Sequence, residues 1–536
     1  MKRRDFLKGS TVLAAGGAAA ASGLAPFPAR AQASKNTLLS VSESGPNSLD
    51  YDVPGVNRSV YCVVWNTYDR LVTFGTRTDE QGNHYYDYRN LQPELAEEWD
   101  ARDMSVTLKL RKNATFHDGT PVTAKDVKYT FDRAIGVGGY PKSTMASASI
   151  VSQDQFVVVD DHTFRVDFVK HDKLGMLYLG VPVVGIYNSA LVKKHATAQD
   201  PWGVQWTKLN AAGGGAYKVA SWTPSQEVVF QRNDAWKSGP LPKIERVIWR
   251  AVPAAGTRRA LLERGDVDLS YDPPAKDVAE MAKNPALKMY GFPMENTVQY
   301  LGMNVKMKPF DDVRVRQAIA YAIPYEKIME LAVYNRARPL FGGPAKVTKP
   351  LWPQPHHYAT DLTKAKQLLA AAGYPNGFST ELSFDMGSAG TQEPLCELVQ
   401  ESLGKIGIKA TLNKIPGANW RTAFVKKELP LQTNVFGAWF NYPDFYFFWV
   451  YSGRNTIFNT MAYQDAAMDK LIDDAHYATD QKTYDKDVVD FIQRAFDEVP
   501  NVPLYQPFLN VAVKKNVSGF RYWFHREVDY RSLVKA

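Results

Sequence analysis

The residues best suited to chemistry lie in one aromatic run, Gly437 to Phe448, which reads GAWFNYPDFYFF. Seven rings within twelve residues are first typical of a packed core. Asn441, Pro443 and Asp444 interrupt the rings, and buried polar groups of this kind need partners. Apolar rings around a few polar groups are typical of a small-molecule cleft. The run therefore predicts a binding site, with core packing as the alternative.

Catalytic motifs do not occur in the sequence: it has no G-x-S-x-G elbow, H-E-x-x-H helix or Walker loop. The glycines of residues 213–215 lack a following Gly-Lys-Ser/Thr and predict a turn. Glu94, Glu97 and Glu98 fall on a predicted surface helix, where solvated carboxylates are a simpler interpretation than an acid/base pair. We assign no catalytic residue, and a hydrolase with unrecognised carboxylates is the alternative.

Metal and cofactor sites also lack a supporting pattern. His356 and His357 could ligate a metal ion, but no nearby Cys, His or Glu completes a site. The two cysteines, Cys62 and Cys396, are far apart in the chain, and we expect free buried thiols rather than a disulfide. We therefore assign no metal and no cofactor.

The first 33 residues are typical of an export signal. Residues 3–8, RRDFLK, have the twin-arginine form, and a weakly hydrophobic, alanine-rich stretch follows from Thr11 to Ala25. This stretch is too short and too glycine-rich to span about 30 Å of hydrocarbon. Small-x-small sites then predict cleavage after Ala33, which would leave a soluble periplasmic protein.

Charge excludes one class of partner. Without residues 1–33 the chain has 59 basic and 55 acidic residues, a modest net charge of +4 over 503 residues. Nucleic-acid binding usually requires a concentrated basic stripe, and none is present. The lysine pairs at 193–194 and 514–515 are typical of solvated surface. The length allows two or three domains.

Local patterns predict the elements that must position the aromatic run. Within Leu91–Ala134 we predict a helix from Pro93 to Trp99, a strand from Val106 to Leu110 and a turn at 118–121. Thr123 and Asp126 then form a capping box that starts a second helix. Later segments, 304–323 and 360–377, each show helical spacing, and Asp311 or Asp312 can cap the first of these helices. Pro324 ends the first of these helices, and Gly373 is placed to cap the second.

Taken in order, these runs resemble the signatures of the extracytoplasmic solute-binding proteins, family 5, which are peptide/nickel-type ABC transporter substrate-binding proteins. The resemblance continues through residues 213–217, 232–236, 252–268 and 468–471. It implies an α/β, periplasmic binding protein-like fold (cluster C, type II-like), with two hinged lobes and an inserted domain. The implied boundaries are 34–78, 200–295 and 505–536 for lobe I, 79–199 for the inserted domain, and 296–504 for lobe II.

The resemblance also implies a function. The protein would be a monomer that captures a small solute of peptide, opine or oligosaccharide type between closing lobes. It would deliver this solute to the permease subunits of an ABC importer and would not be an enzyme. The hydrolase alternative would instead act on peptides or glycosides.

In peptide-binding relatives a loop similar to the aromatic run reads W-x-x-D-Y, and its aspartate pairs with the peptide α-ammonium group. Asn441 occupies the nearest position here. Either Asp444 takes over that role, or the ligand lacks a free α-amine. A further candidate is Tyr51, which lies in a turn that resembles the family's LDP motif. Arg454 and Asn455 are also candidates, and ordinary surface exposure is the alternative for these two. The predicted ligand contacts are Tyr51, Trp439, Phe440, Asn441, Tyr442, Asp444, Arg454 and Asn455.

Overall fold

One twelve-stranded sheet runs through both lobes. The computed structural model describes residues 35–338, 358–455 and 457–536. The strands are β1 (Thr37–Ser42), β2 (Val72–Thr78), β3 (His84–Pro93), β4 (Ala96–Arg102), β5 (Ser105–Leu110), β6 (Phe156–Asp160), β7 (Thr163–Asp167), β8 (Tyr217–Thr223), β9 (Glu227–Arg232), β10 (Arg246–Ala251), β11 (Leu269–Tyr271), β12 (Leu287–Pro293), β13 (Thr297–Met303), β14 (Ala337–Arg338), β15 (Ser379–Asp385), β16 (Lys409–Ile415), β17 (Leu431–Gly437), β18 (Asn501–Lys514), β19 (Val517–Ser518), β20 (Arg521–Tyr522) and β21 (Val534–Lys535).

Helices cover the faces of the sheets. They are α1 (Val60–Thr67), α2 (Ala124–Val137), α3 (Tyr140–Ala146), α4 (Gly175–Tyr178), α5 (Ser189–Lys193), α6 (Val204–Thr207), α7 (Ala255–Glu263), α8 (Ala275–Met281), α9 (Val313–Ala322), α10 (Tyr325–Lys327), α11 (Leu362–Ala371), α12 (Ala389–Gly404), α13 (Gly417–Lys426), α14 (Pro443–Val450), α15 (Ala466–His476) and α16 (Gln481–Glu498). Within the described ranges, no helix combines the length and apolar character needed to cross a membrane.

The order of the large sheet explains how the two lobes are joined. It runs β16-β15-β17-β13-β18-β11-β1-β10-β9-β8, and β12 and β14 also pair with β18. Parallel pairs lie towards both ends, where β15 pairs with β16 and β17, and β1 pairs with β10 and β11. Between them β18 pairs antiparallel with β13 through its first half and with β11 through its second half. These long central strands therefore connect lobe II to lobe I, as expected for a hinged α/β binding protein.

A separate four-stranded sheet, ordered β4-β5-β7-β6, packs against α2 and forms the inserted unit. The hairpin before it belongs elsewhere, because β3 pairs with both β2 and the C-terminal strand β20. The predicted boundary at residues 78/79 falls between β2 and β3. These pairings place the start of the inserted unit after Pro93.

The helix predicted from Pro93 to Trp99 is wrong. β3 ends at Pro93, and β4 pairs antiparallel with β5, so that Trp99 lies opposite Leu108. Seven residues hold too few periods to separate a helix from a strand, and the available ladder on β5 decides the conformation. Glu94 is not a solvated helix residue either, because it is buried and forms an ion pair with Arg70.

Other local predictions are confirmed. The strand from Val106 to Leu110 lies within β5, and the Thr123/Asp126 capping box starts α2. Asp312 caps α9 by accepting the N–H of Arg314, and α9 ends before Pro324. Gly373 follows α11 with a φ of +90°, at the predicted end of the helix. Asp361, which was not predicted as a cap, accepts the backbone N–H of Lys364 at the start of α11. Cys62 and Cys396 are free and buried, as expected.

Candidate ligand-binding cleft

The strand register places a cleft beside the middle of β18. β11 ends at Tyr271, which lies opposite Val511, and the N–H of Asp272 donates to the carbonyl of Asn510. From the other lobe, β17 ends at Gly437 beside the start of β13, whose next residues pair with β18 near Tyr505. Carboxyl ends of strands from both lobes thus converge on one short stretch of β18. In α/β folds, ligands bind outside such strand ends.

Trp439, just after β17, marks the meeting point of the two lobes and the inserted unit. Its ring makes T-shaped contacts with Tyr61 of α1 at 5.9 Å and Tyr140 of α3 at 5.8 Å between centroids. Tyr178 stacks at 6.2 Å, and Phe524 of the C-terminal segment lies at 6.0 Å. Rings from four separated segments therefore hold Trp439, and sequence spacing could not have predicted this arrangement.

The charges of three arginines, from both lobes, act on the Tyr140 hydroxyl. Arg58 and Arg526 come from lobe I, whereas Arg421 comes from α13 of lobe II. Burial raises the pKa of the Tyr140 hydroxyl, and the guanidinium groups of the three arginines oppose that shift. Tyr140 therefore lies within electrostatic reach of positive charge from both sides of the cleft.

None of these three guanidinium groups forms an ion pair with another described residue. Arg58 donates from Nη1 to the carbonyl of His525 at 3.3 Å, and Arg421 lies over the ring of Phe458 at 5.5 Å. Arg526 contacts only a methionine sulfur, at 3.6 Å. Burial, together with the neighbouring Arg58, lowers the pKa of Arg526 to about 10. Cations in such positions are suited to bind an anionic ligand group.

Two carboxyl groups lie on the lobe I side of the same cleft. Burial raises the pKa of Glu527 to about 8, although Arg58 and Arg526 oppose the shift. The side chain of Asp272 is exposed, and desolvation by the surrounding protein raises its pKa to about 6.

Asp444, by contrast, belongs to a network that joins lobe II to the inserted unit. It accepts hydrogen bonds from the Tyr484 hydroxyl at 2.8 Å and the Lys173 ammonium at 3.1 Å. Nδ1 of His476 lies 2.9 Å away, and Nε2 of the same ring lies 3.2 Å from Asp172. Burial alone would raise the pKa of Asp444, but Lys173, His476 and Tyr484 lower it to about 2. Burial would lower the pKa of His476, but Asp172 and Asp444 raise it to about 9.

The structure places two predicted contacts in the core rather than at the cleft. Tyr51 is fully buried, stacks on Tyr187 at 5.0 Å and donates its hydroxyl to the carbonyl of Gly185. Phe440 is also fully buried, and its carbonyl accepts a hydrogen bond from the side chain of Asn296. These positions argue against a ligand contact for either side chain.

The rest of the aromatic run divides between the cleft and the core. Pro443 opens α14, so the turn is followed at once by a helix. Asn441 and Tyr442, before the helix, are both half-buried, and the Lys173 ammonium lies 5.0 Å from the Tyr442 ring. Most later rings of the run pack inside, so core packing accounts for α14. Trp439, Asn441 and Tyr442 stay as predicted contacts.

Arg454 and Asn455 have structural partners. Both terminal nitrogens of the Arg454 guanidinium donate to Asp473, at 2.8 and 2.7 Å. Asn455 accepts the backbone N–H groups of Ile457 and Phe458 and so closes a turn. This agrees with the surface alternative for Arg454 and gives neither residue a ligand role.

Sequence reasoning missed Arg58, Tyr140, Arg421, Asp272 and Glu527. Each is an isolated residue in a different segment, and no spacing links them. His356 and His357 lie outside the described residues, and within the described ones no group of three or more His, Cys, Asp or Glu side chains could hold a metal ion.

Comparison with known proteins identifies the family. The model of the bacterial extracellular solute-binding proteins, family 5, matches residues 90–458. The chain belongs to that family. As a family 5 protein it is the solute-binding component of an ABC importer, and its closing lobes hold the solute.

Individual relatives cover almost the whole length of this family 5 protein. The probable D,D-dipeptide-binding periplasmic protein DdpA of Escherichia coli K12 is 27% identical over 508 residues, covering 92% of this chain and 93% of the relative. The glutathione-binding protein GsiB of E. coli O1:K1 is 28% identical over 446 residues, covering 80% and 82%.

Solved structures show the same fold. AgaA of A. tumefaciens R10 in complex with agropinic acid has a TM-score of 0.76 and 26% identity, over 93% of this chain and 99% of that one. DppA of Helicobacter pylori with the peptide STSA has a TM-score of 0.79 and 22% identity, over 93% and 98%.

Proposed function

We propose that the solute is a small organic acid of peptide or opine type, bound between the two lobes. The observation that carries this proposal is that Arg58, Arg526 and Arg421, which come from both lobes, have no ion-pair partner among the described residues. Their guanidinium groups come from both lobes, and no described carboxylate pairs with them. A ligand carboxylate between them would attract both lobes and so favour the closed state over the open one.

The relatives support an acidic solute. AgaA binds a compound named as an acid, and DdpA and GsiB are named for peptide ligands. An oligosaccharide, the third predicted ligand type, is usually neutral and would leave the three arginines without an ion-pair partner. We do not assign a peptide amine to Asp444, because Lys173, His476 and Tyr484 are already its partners.

Calorimetric titration with glutathione, D-alanyl-D-alanine, mannopinic acid and neutral maltotriose tests the ligand class. We expect an acid to bind and Arg421→Ala to weaken its binding at least 10-fold, since a charge-assisted hydrogen bond contributes about 1.5–3 kcal/mol. Arg454→Ala is the matched control, because that guanidinium pairs with Asp473, and its affinity should not change. Binding of maltotriose without any acid would contradict the proposal.

Transport rather than turnover, and export by the twin-arginine route, complete the proposal. Mass spectrometry of ligand recovered from the purified protein should return it unchanged, whereas a hydrolase would return fragments.

For export, N-terminal sequencing of periplasmic protein should begin at Ser34. Replacing Arg3 and Arg4 by lysine should abolish its appearance in the periplasm. A monomer in solution is expected by light scattering.

A further inference from the structure

His476, the last residue of α15, lies between two carboxylates that belong to different parts of the molecule. Its Nδ1 lies 2.9 Å from Asp444 of lobe II, and its Nε2 lies 3.2 Å from Asp172 of the inserted unit. The His476 side chain is 11% exposed, and both carboxylates are fully buried. An ionised carboxylate only accepts hydrogen bonds, so each ring nitrogen must carry a proton to be bonded. The geometry therefore requires the imidazolium form of His476.

Lys173 completes the charge balance of this contact. Its ammonium lies 3.1 Å from the Asp444 carboxylate and donates to the carbonyl of Ala475, also at 3.1 Å. Two carboxylates are thereby matched by two cations, the lysine and the protonated histidine. A neutral His476 would leave an excess negative charge buried in the contact, which is costly where water is largely excluded.

The other groups around His476 do not change this balance. Tyr484 donates its hydroxyl to Asp444 at 2.8 Å and so acts as a neutral donor. The ring of Tyr477 lies 4.7 Å from the His476 ring, and the ammonium of Lys170, an exposed residue, lies 4.5 Å from the Tyr477 ring. The titratable groups packed around His476 are therefore Asp172, Lys173 and Lys170 of the inserted unit, and Asp444, Tyr477 and Tyr484 of lobe II.

The inserted unit is held to lobe I by a different, fully buried ion cluster. Arg133 of α2 donates to Asp50 of lobe I at 2.6 Å and also pairs with Asp52. All three side chains are 0% exposed, and a buried cluster of this kind is costly to break. The inserted unit therefore moves with lobe I, and its contact with lobe II spans the cleft.

We propose that closure of the lobes is coupled to the binding of one proton, which His476 takes up as it comes between Asp444 and Asp172. On opening, Asp172 moves away with lobe I, and one ring nitrogen of His476 loses its carboxylate. This inference rests on lobe closure and not on the class of solute, because both carboxylates belong to the protein.

The sign of the pH dependence follows from the closed contact. Burial lowers the pKa of His476, but Asp172 and Asp444 raise it from 6.5 to about 9. Without Asp172 the pKa in the open form should lie nearer the ordinary value. The contribution of His476 to closure is therefore full below pH 6.5 and is lost as the pH rises through 9.

Calorimetric titration at pH 8, in two buffers of different ionisation enthalpy, measures the protons bound with each ligand. The probe is whichever of glutathione, D-alanyl-D-alanine, mannopinic acid and maltotriose binds the full mature chain. We expect the wild type to take up roughly one proton more than His476→Gln. Between pH 6.5 and pH 9.5 its affinity should fall about 10- to 100-fold relative to that of His476→Gln.

His171→Gln is the matched control. His171 also lies beside a carboxylate, that of Asp103 at 2.6 Å, but both side chains are at least half exposed and belong to the inserted unit. Closure leaves that pair unchanged, so the variant should take up as many protons as the wild type. Asp172→Asn removes the charge from across the cleft and should also reduce the uptake, which keeps the test valid if His476→Gln does not fold.

Two results of the titration would overturn the inference. They are equal proton uptake in the wild type and in His476→Gln, or an uptake that is also lost in His171→Gln. An acid that binds without this uptake would overturn the inference and leave the proposed solute class standing. Uptake with maltotriose alone would do the reverse.

If none of the four probes binds, small-angle X-ray scattering of the ligand-free chain supplies the test. The wild type should be more compact at pH 6.5 than at pH 9.5, because protonated His476 favours the closed form, whereas His476→Gln should keep the same dimensions. Equal dimensions of the wild type at both pH values would overturn the inference.

Discussion

Asp444 and Glu527 are equally buried carboxyl groups, one in lobe II and one in lobe I, with opposite properties. Asp444 has three partners, among them Lys173, and its pKa falls to about 2. Glu527 has none within hydrogen-bond distance in the described structure, and its pKa rises to about 8. Burial opposes the charged form in both cases. Pairing, not depth, therefore decides which carboxylate is ionised.

The comparison separates a carboxylate that joins lobe II to the inserted unit from a carboxyl group that has no side-chain partner in the described structure. The network around Asp444 connects lobe II to Asp172 and Lys173 of the inserted unit, so its charges are neutralised within the protein. Glu527 instead has Arg58 and Arg526 within electrostatic reach but no hydrogen bond to either, and its raised pKa favours the neutral carboxyl group at pH 7. A binding protein needs both kinds of site, because closure requires internal contacts and specificity requires unfilled ones.

The largest effect is expected when the paired carboxylate of Asp444 is removed. Asp444→Ala would leave the Lys173 ammonium and the His476 ring buried without their shared carboxylate, and should lower the free energy of unfolding by about 3–5 kcal/mol. Urea denaturation at pH 7 measures it. Asp473→Ala, which breaks an exposed pair, should cost less than about 1 kcal/mol. A similarly small loss of unfolding free energy in both variants would contradict the distinction between the buried pair of Asp444 and the exposed pair of Asp473.

A second experiment tests the unpaired carboxyl group of Glu527. The pKa of Glu527 is raised from 4.5 to about 8, so its contribution to stability is full below pH 4.5 and is lost as the pH rises through 8. Relative to Glu527→Gln, the wild type should lose on the order of 2 kcal/mol between pH 5 and pH 8. Thermal unfolding across that range measures the difference.

Asp529→Asn is the control for this pH series. Asp529 is buried two residues away but pairs with Arg531, and its pKa is lowered to about 2. Its carboxylate stays ionised from pH 5 to pH 8, so the difference between this variant and the wild type should be constant there. If the difference in unfolding free energy from the wild type changed with pH in Asp529→Asn as it does in Glu527→Gln, the pH dependence could not be assigned to Glu527.

A smaller effect is expected at His476. Its pKa is raised from 6.5 to about 9, so its stabilising contribution is full below pH 6.5 and is lost as the pH rises through 9. Compared with His476→Gln, the wild type should lose about 1–2 kcal/mol over that interval. Hydrogen exchange at residues 172–174 should speed up in parallel, because Asp172 loses its partner. A stability difference between the wild type and His476→Gln that stays constant from pH 6.5 to pH 9 would contradict a positively charged His476.

The smallest effect is expected at Arg454. Its ion pair with Asp473 is bidentate but its side chain is 49% exposed, and exposed pairs typically contribute 0.2–1 kcal/mol. Arg454→Ala should therefore change the free energy of unfolding by less than about 1 kcal/mol and ligand affinity by less than about twofold. A larger loss of affinity would return Arg454 to the ligand site.

Local signals predicted much of the fold. The Thr123/Asp126 capping box, the aspartate cap of α9 and Gly373 after α11 are all decided within a few residues. The segment from Pro93 to Trp99 was not predictable in this way. Its weak apolar spacing fits a helix or a strand, and only the pairing with β5 selects β4.

The site was less accessible to prediction than the fold. The aromatic run predicts one wall of the cleft, but Trp439 is held by rings from four distant segments, which the run does not indicate. Asp444 was a reasonable candidate for an amine partner, since nothing in the sequence indicates that Lys173 and His476 already reach it. Arg58, Arg421 and Glu527 carry no motif at all.

The sequence by itself determined the family, the α/β class with two hinged lobes, the capped helices and an aromatic wall at the end of β17. These features depend on periodicity, caps and ordered motifs, all of which are local in the chain. Tertiary structure alone decided which charges are paired. Coulombic and desolvation energies depend on distances between side chains, and those distances are set by packing between residues hundreds of positions apart.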